Sequence, residues 1–223
     1  MNEENLKKIL EFAARGNAFG EKVTVVGATK TIPADIINRA IADGLKVVAE
    51  NKVNEFREKT DLIRGAEQHF IGHLQTNKVK YIVGKVSLIH SVDSLKLAAA
   101  ISDECVKKNV EQPILIQINV GNEETKSGFS PSETERAAEE ISRLPLLKVK
   151  GLMAMLPKTE NTLLLRELSL QMRGFYDKLK EKYDFTTLSM GMSSDYKIAV
   201  ECGSNTVRIG SLIFGERNYE VKK

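Results

Sequence analysis

A chain of 223 residues with 42% hydrophobic and 28% charged residues can bury one sizeable core and does not require a second domain. Its formal net charge of +3 is too small to imply a nucleic-acid partner, and 6% aromatic content without tryptophan argues against a stacking surface for single strands. No run of eighteen apolar residues occurs, so no membrane span is expected.

The N-terminus, "MNEENLKKIL", is an amphipathic start without the apolar core of a signal peptide, which predicts a soluble cytoplasmic protein. Cys105 and Cys202 have no CxxC or metal-ligand spacing and read as two reduced thiols. The first strand, "VTVVGAT" (23–29), runs directly into Lys30, and Pro33 then fits the first turn of a helix after Thr31. An ammonium at that place is either a solvated strand end or a reactive amine at the mouth of a pocket.

Further apolar runs follow at 46–50, 69–73, 87–92, 113–120, 148–155, 186–191 and 206–210. Between them lie helical patterns, among them 93–109, 131–143 and 162–183. Gly44 supplies a helix stop, and Ser130-Pro131 with Glu133 forms a capping box. Most of the runs are too continuous in apolar content to face water, which fits a parallel sheet covered by helices. Eight strand–helix repeats predict a (β/α)8 barrel forming a single domain over 1–223, with a doubly wound open sheet as the competitor.

Functional groups of such a barrel gather at the C-terminal ends of its strands. Those ends carry Lys30, Asn51, His73, Ser91, Asn119, Met155, "GMSS" at 191–194 and "RIGS" at 208–211. The last two read as glycine turns leading into helices, one starting at Ser193 or Ser194 with Asp195 in its first turn, the other at Ser211 after Gly210. Singly, these serines are ordinary N-caps. As a pair after the last two strands they form a phosphate cup of free N–H groups and hydroxyls. A phosphate cup and a lysine amine are what pyridoxal 5'-phosphate (PLP) requires. Arg208, two residues before Gly210, should point inward and can only donate to a ring nitrogen; a salt bridge at the barrel end is its ordinary alternative.

Other candidates carry less. His69 and His73 are four apart but lie in a strand-like run without a carboxylate pair, so no metal site is expected. His90 reads as a strand-end residue, and "ENKVNEFREK" and "TNKVKYIVGK" as solvated helical faces. Lys126 is either a solvated loop lysine or a group over the cofactor. Met153, Met155, Met190 and Met192 read as core or pocket lining.

With "VGATKTIP", "AENKVNE", "HFIGHLQTNK", "NVGNEETKSGF", "GLMAM" and "LSMGMSSDYKIAVECGSNTVRIGSLIFGER", the chain resembles the pyridoxal phosphate homeostasis proteins. These are single-domain relatives of the PLP-binding barrel of alanine racemases. The resemblance implies Lys30 as the Schiff-base lysine and Arg208 as the residue facing the pyridine nitrogen. It places Ser193, Ser194, Gly210 and Ser211 at the phosphate, Asn51 near the cofactor and Met155 in the pocket wall. Ala49 and Lys52 depart from the family pattern, which often has Gly and Arg or Tyr there.

Two functions follow from the resemblance. One is a PLP carrier of weak catalytic power that serves PLP-dependent apoenzymes; the other is a PLP-dependent amino-acid racemase. A racemase needs a base on each face of the substrate carbon. In alanine racemases the second base is a tyrosine of a C-terminal domain, contributed across a dimer. The chain ends at Lys223, and Tyr196 and Tyr219 do not stand in an equivalent context. A monomeric carrier is therefore the expectation.

Overall fold

Strands apolar on both faces leave a hydrogen-bonding edge that must be covered or paired, and here closure removes it. In the computed structural model, which describes residues 1–123 and 126–215, eight parallel strands form a barrel in sequence order. They are β1 (Thr24–Ala28), β2 (Val47–Glu50), β3 (Glu67–Phe70), β4 (Leu88–Val92), β5 (Gln112–Ile118), β6 (Leu147–Ala154), β7 (Thr187–Ser189) and β8 (Thr206–Ile209). The pairing Val25↔Val207 and Val26↔Arg208 joins β1 to β8 and excludes the open sheet.

The helices are α1 (Glu3–Ala14), α2 (Ala34–Ala42), α3 (Val53–Lys59), α4 (Leu95–Lys108), α5 (Thr134–Ser142), α6 (Thr162–Tyr183), α7 (Tyr196–Glu201) and α8 (Ser211–Phe214). Their starts have local causes. Ser94 Oγ accepts from the Leu97 N–H at 3.3 Å before α4, and Asn161 Oδ1 from the Leu164 N–H at 3.1 Å before α6. Ahead of α5, Glu133 Oε2 accepts from the Ser130 N–H at 3.0 Å, the reach-back half of a capping box. The stop expected at Gly44 is present as a left-handed turn with φ +107°.

Several expected boundaries move. The run 69–73 splits, because β3 ends at Phe70 and Ile71, Gly72 and His73 form a loop. A Cβ on Gly72 would lie 1.9 Å from the Asn51 carbonyl oxygen, so only glycine lets this loop cross the end of β2. The connection from β3 to β4 carries a 3-10 turn, Thr76–Tyr81, in place of an α-helix. Pro33 is the residue before α2, outside its first turn, and Thr31 has a left-handed φ of +65°. The helix expected at Ser193 or Ser194 starts at Tyr196; the serines lie in the turn before it.

Alternation along the strands sorts two cores. Residues such as Ile114, Ile116, Leu152 and Leu188 pack outward against the helices, as do Val25, Val48, Val207 and Ile209 on the other side. Each such burial contributes roughly 1.5–3 kcal/mol. Inside the barrel, Val26, Val47 and Ala49 form one small cluster and Leu88, Leu115 and Met153 another. Cys105 and Cys202 are free and buried. Among the described residues no helix is long and apolar enough to cross a membrane.

Candidate functional site

The upper ends of all eight strands open on one cavity of about 570 Å³. The residues that the resemblance assigns to the cofactor all line it: Lys30, Asn51, Met155, Ser193, Ser194, Arg208, Gly210 and Ser211. Strand parity explains this convergence. Ala28 and Lys30 face inward on the β1 side, Ala49 and Asn51 on the β2 side, and Arg208 and Gly210 on the β8 side.

Lys30 reaches the cavity with no carboxylate within ion-pair distance among the described residues. The Oδ1 of Asn51 is buried and has no hydrogen-bond partner. An orphaned acceptor of this kind marks a place where a donor belongs.

Arg208 is 5% exposed and, among the described residues, makes no salt bridge to a carboxylate, unlike the ordinary alternative for a barrel-end arginine. Its Nη1 donates to Ser189 O at 3.0 Å and Ser189 Oγ at 2.7 Å, and its Nη2 donates to Ala154 O at 2.9 Å. Burial brings the guanidinium down to about 10, opposed by the charge of Asp195, so it remains a cation at neutral pH.

A chain of buried groups behind Arg208 was missed in the sequence. Ser189 Oγ lies 3.0 Å from His90 Nδ1, and His90 Nε2 lies 3.0 Å from His69 Nδ1. Because Arg208 can only donate, the Ser189 hydroxyl proton is free to go to His90 Nδ1. His90 then carries its proton on Nε2 and donates to His69. Burial, with the charges of His69 and Arg208, holds His90 well below the usual histidine value. Burial also takes His69 down to about 4, against the pull of Glu67. Both rings are therefore neutral. His90 is a core residue, and no sequence signal distinguishes a histidine facing another from one at a solvated strand end. Among the described residues no group of three or more His, Cys, Asp or Glu could hold a metal.

One side of the cavity consists of two turns rich in hydrogen-bond donors. Gly191 has φ +97°, and the Asp195 carboxylate accepts from the Met192 N–H at 2.6 Å, closing the loop that carries Ser193 and Ser194. Across from it, α8 begins immediately after Gly210, so the N–H groups of Ser211 and Leu212 have no partner inside the helix. A four-residue helix has little dipole; the N–H groups and serine hydroxyls supply the donors. A Cβ on Gly210 would sit 3.4 Å from Ala28 O and fill part of the wall.

The remaining candidates separate cleanly. His73 lines the mouth with its Nδ1 3.0 Å from Asp93 Oδ2. Lys126 also lines the cavity, tied to Glu123 Oε1 at 2.5 Å and Leu156 O at 3.2 Å, so it is not simply a solvated loop residue. Met155 and Met192 line the wall, whereas Met153 and Met190 are buried core. Ser91 and Asn119 serve the loops, donating to Gly72 O and to Glu123 O. Tyr196 lies outside the cavity lining, its ring edge-on to Phe12 at 5.4 Å. Glu124 and Thr125, together with Glu216, Arg217 and Tyr219, lie outside the described residues.

Comparison with known proteins places these features in context. The family model of the alanine racemase N-terminal domain matches residues 3–218. The chain is 44% identical over 220 residues to the pyridoxal phosphate homeostasis protein of Aquifex aeolicus, covering 97% of this chain and 95% of that protein. The homeostasis protein of Escherichia coli K12 is 36% identical over 222 residues, covering 96% and 94%. Among solved structures, PipY of Synechococcus elongatus with PLP bound matches with a TM-score of 0.80 and 28% identity, covering 95% of this chain and 100% of that one. Alanine racemase of Clostridium difficile shares the barrel, with a TM-score of 0.76 at 15% identity, covering 97% of this chain and 59% of that one.

Proposed function

We propose that this chain, which belongs to the pyridoxal phosphate homeostasis proteins within the alanine racemase N-terminal domain family, binds PLP at the barrel mouth as a Schiff base on Lys30. One observation carries the reading: a lysine amine, a buried cation and two serine-bearing turns open on a single cavity. PLP supplies an aldehyde that condenses with an amine, releasing water, and a ring that withdraws electrons when its nitrogen is protonated.

The residues divide the work. Lys30 provides the amine nitrogen for the C=N bond. Ser193, Ser194 and Ser211, with the N–H groups around Gly210, hold the phosphate oxygens by charge-assisted hydrogen bonds. Arg208 donates to the ring nitrogen and, having no proton to give up at neutral pH, leaves that nitrogen unprotonated. Ser189 and His90 keep the guanidinium in place. Asn51 offers its unpartnered Oδ1 to a donor on the ligand, and Met155 closes the wall.

We infer that the protein holds PLP for cytoplasmic PLP-dependent apoenzymes and turns over amino acids weakly. Arg208 leans this way, because an unprotonated ring is a weak electron sink, although alanine racemases tolerate such an arginine. The cavity also favours it: among the described residues no tyrosine lines it as a second base opposite Lys30. One chain suffices for the site, since all eight strands contribute to it, which is consistent with a monomer.

The test is an absorption spectrum of the protein reconstituted with PLP, beside a chiral assay with L-alanine. A yellow protein whose visible band is absent in Lys30→Ala, with negligible D-alanine formed, is expected. A colourless protein overturns the PLP reading, and robust racemisation overturns the carrier reading.

A further inference from the structure

If Lys30 is the cofactor amine, as proposed above, the chain at the end of β1 must be held so that its side chain enters the cavity. Strand parity turns Thr29 and Glu50 away from the cavity, toward α3, while their neighbours Lys30 and Asn51 face it. There Glu50, Glu55 and Lys59 form a compact group. Lys59 Nζ donates to Glu50 Oε1 at 2.9 Å, to Glu55 Oε2 at 3.0 Å and to the carbonyl oxygen of Thr29 at 3.2 Å. Thr29 Oγ1 donates to the same Glu50 oxygen at 2.7 Å, and the Thr31 N–H donates to Glu55 Oε2 at 2.6 Å.

These bonds meet the chain on both sides of Lys30 and none reaches Lys30 itself. Glu50 is 3% exposed, with its Oε2 unpartnered. A carboxylate buried that deeply is retained only with its cation beside it. Thr31 is a β-branched residue at φ +65°, a conformation such residues adopt only where surrounding contacts impose it. The turn is held by the Thr31 hydroxyl on the Lys30 carbonyl at 2.6 Å, by the Ile32 N–H on the Thr29 carbonyl at 3.0 Å, and from α3 by the Thr31 N–H on Glu55.

We propose that Lys59, with Glu50 and Glu55, is a positioning clamp that holds the left-handed turn at Thr31 and thereby aims Lys30 into the cavity. Lys59 does not line the cavity; it acts through the backbone of residues 29–31. Lys59→Met removes the cation joining the two carboxylates, frees the turn and lets Lys30 leave its place. Glycine adopts φ > 0 without strain, so Thr31→Gly makes the clamp dispensable.

The experiment is a double-mutant cycle on the full chain, with PLP affinity and amide exchange at residue 31 measured for each variant. Lys59→Met is expected to weaken PLP binding about tenfold or more and to speed exchange of the Thr31 amide, measured in PLP-free protein, by a similar factor. Thr31→Gly alone should leave binding within about threefold of the parent, and Lys59→Met/Thr31→Gly should return affinity to that level. A general loss of stability would not be restored by a glycine, so binding that stays weak in the double variant overturns the clamp. Unchanged binding in Lys59→Met overturns it as well. Should Lys59→Met not fold, Glu55→Ala with the same glycine partner gives the same two outcomes. The exchange rates are read without cofactor, so failure of PLP to attach to Lys30 in the parent is distinguishable from failure of the clamp.

Discussion

Arg208 and Ser211 set the residue-scale chemistry, one as a buried donor and the other as a hydroxyl at a helix start. Loss of one hydrogen bond to a charged ligand group costs about 1.5–3 kcal/mol. Ser211→Ala should therefore weaken PLP binding roughly tenfold or more, measured by equilibrium dialysis. Pyridoxal, which lacks the phosphate, should lose little, so the preference for PLP over pyridoxal narrows. An unchanged preference would remove Ser211 from the phosphate site. Lys30 and Arg208 were legible in the sequence because strand parity and distance from a strand's end decide which side chains reach the mouth. His90 was not: an apolar run around a histidine looks the same whether the ring meets water or His69.

At the scale of elements, the turn between β7 and α7 depends on one glycine. A Cβ on Gly191 would come within 2.8 Å of Ala199 Cβ and 3.0 Å of Tyr196 Cα, at a φ of +97°. Gly191→Ala should destabilise the protein by roughly 2 kcal/mol or more and displace the Ser193–Ser194 loop, seen as a lower Tm and weaker PLP binding together. A second element contact is electrostatic. Burial raises the Glu21 carboxyl, but hydrogen bonds from Lys180, Arg173 and Asn17 and the Arg173 charge outweigh it and bring it down to about 2. A depressed carboxyl stabilises the fold above its unfolded value of 4.5, and that contribution is lost as the pH falls toward 2. Glu21→Gln should cost on the order of 1 kcal/mol at pH 7, allowing for solvent screening, and little at pH 2. Denaturant melts at the two pH values check this. The strand–helix alternation was legible from apolar runs and caps. The 3-10 turn at Thr76–Tyr81 was not, since "TNKVKY" has a helical charge pattern and only packing selects the tighter winding. The late start of α7 was missed for a related reason: Asp195 closes the turn through Met192 before the helix begins.

For the whole molecule, closure places a pair of neutral histidines in the barrel interior, against strands that unfold together. Both titrate below their ordinary value, His69 at about 4 and His90 well below 6.5, with burial the main cause. The unfolded chain binds their protons below about pH 6.5 and the folded chain does not, so stability falls as the pH drops from 6.5 toward 4. Unfolding at pH 5 should take up roughly one proton per histidine, and His69→Gln/His90→Gln should flatten the pH dependence in that window. A slope unchanged in the double variant would assign it to other groups. The barrel was legible as a whole from eight apolar runs at regular spacing. Closure was the expectation with the open sheet as its competitor, because alternation of strands and helices is common to both; the β1–β8 pairing decides for the closed barrel.

The central claim is that Lys30 carries PLP covalently. Reduction of the PLP-loaded protein with borohydride, followed by digestion and peptide mass measurement, tests it most directly. The account predicts a reduced phosphopyridoxyl adduct on the peptide containing Lys30, stoichiometric with protein and absent in Lys30→Ala. An adduct on Lys126 or another lysine, or none at all, would contradict it.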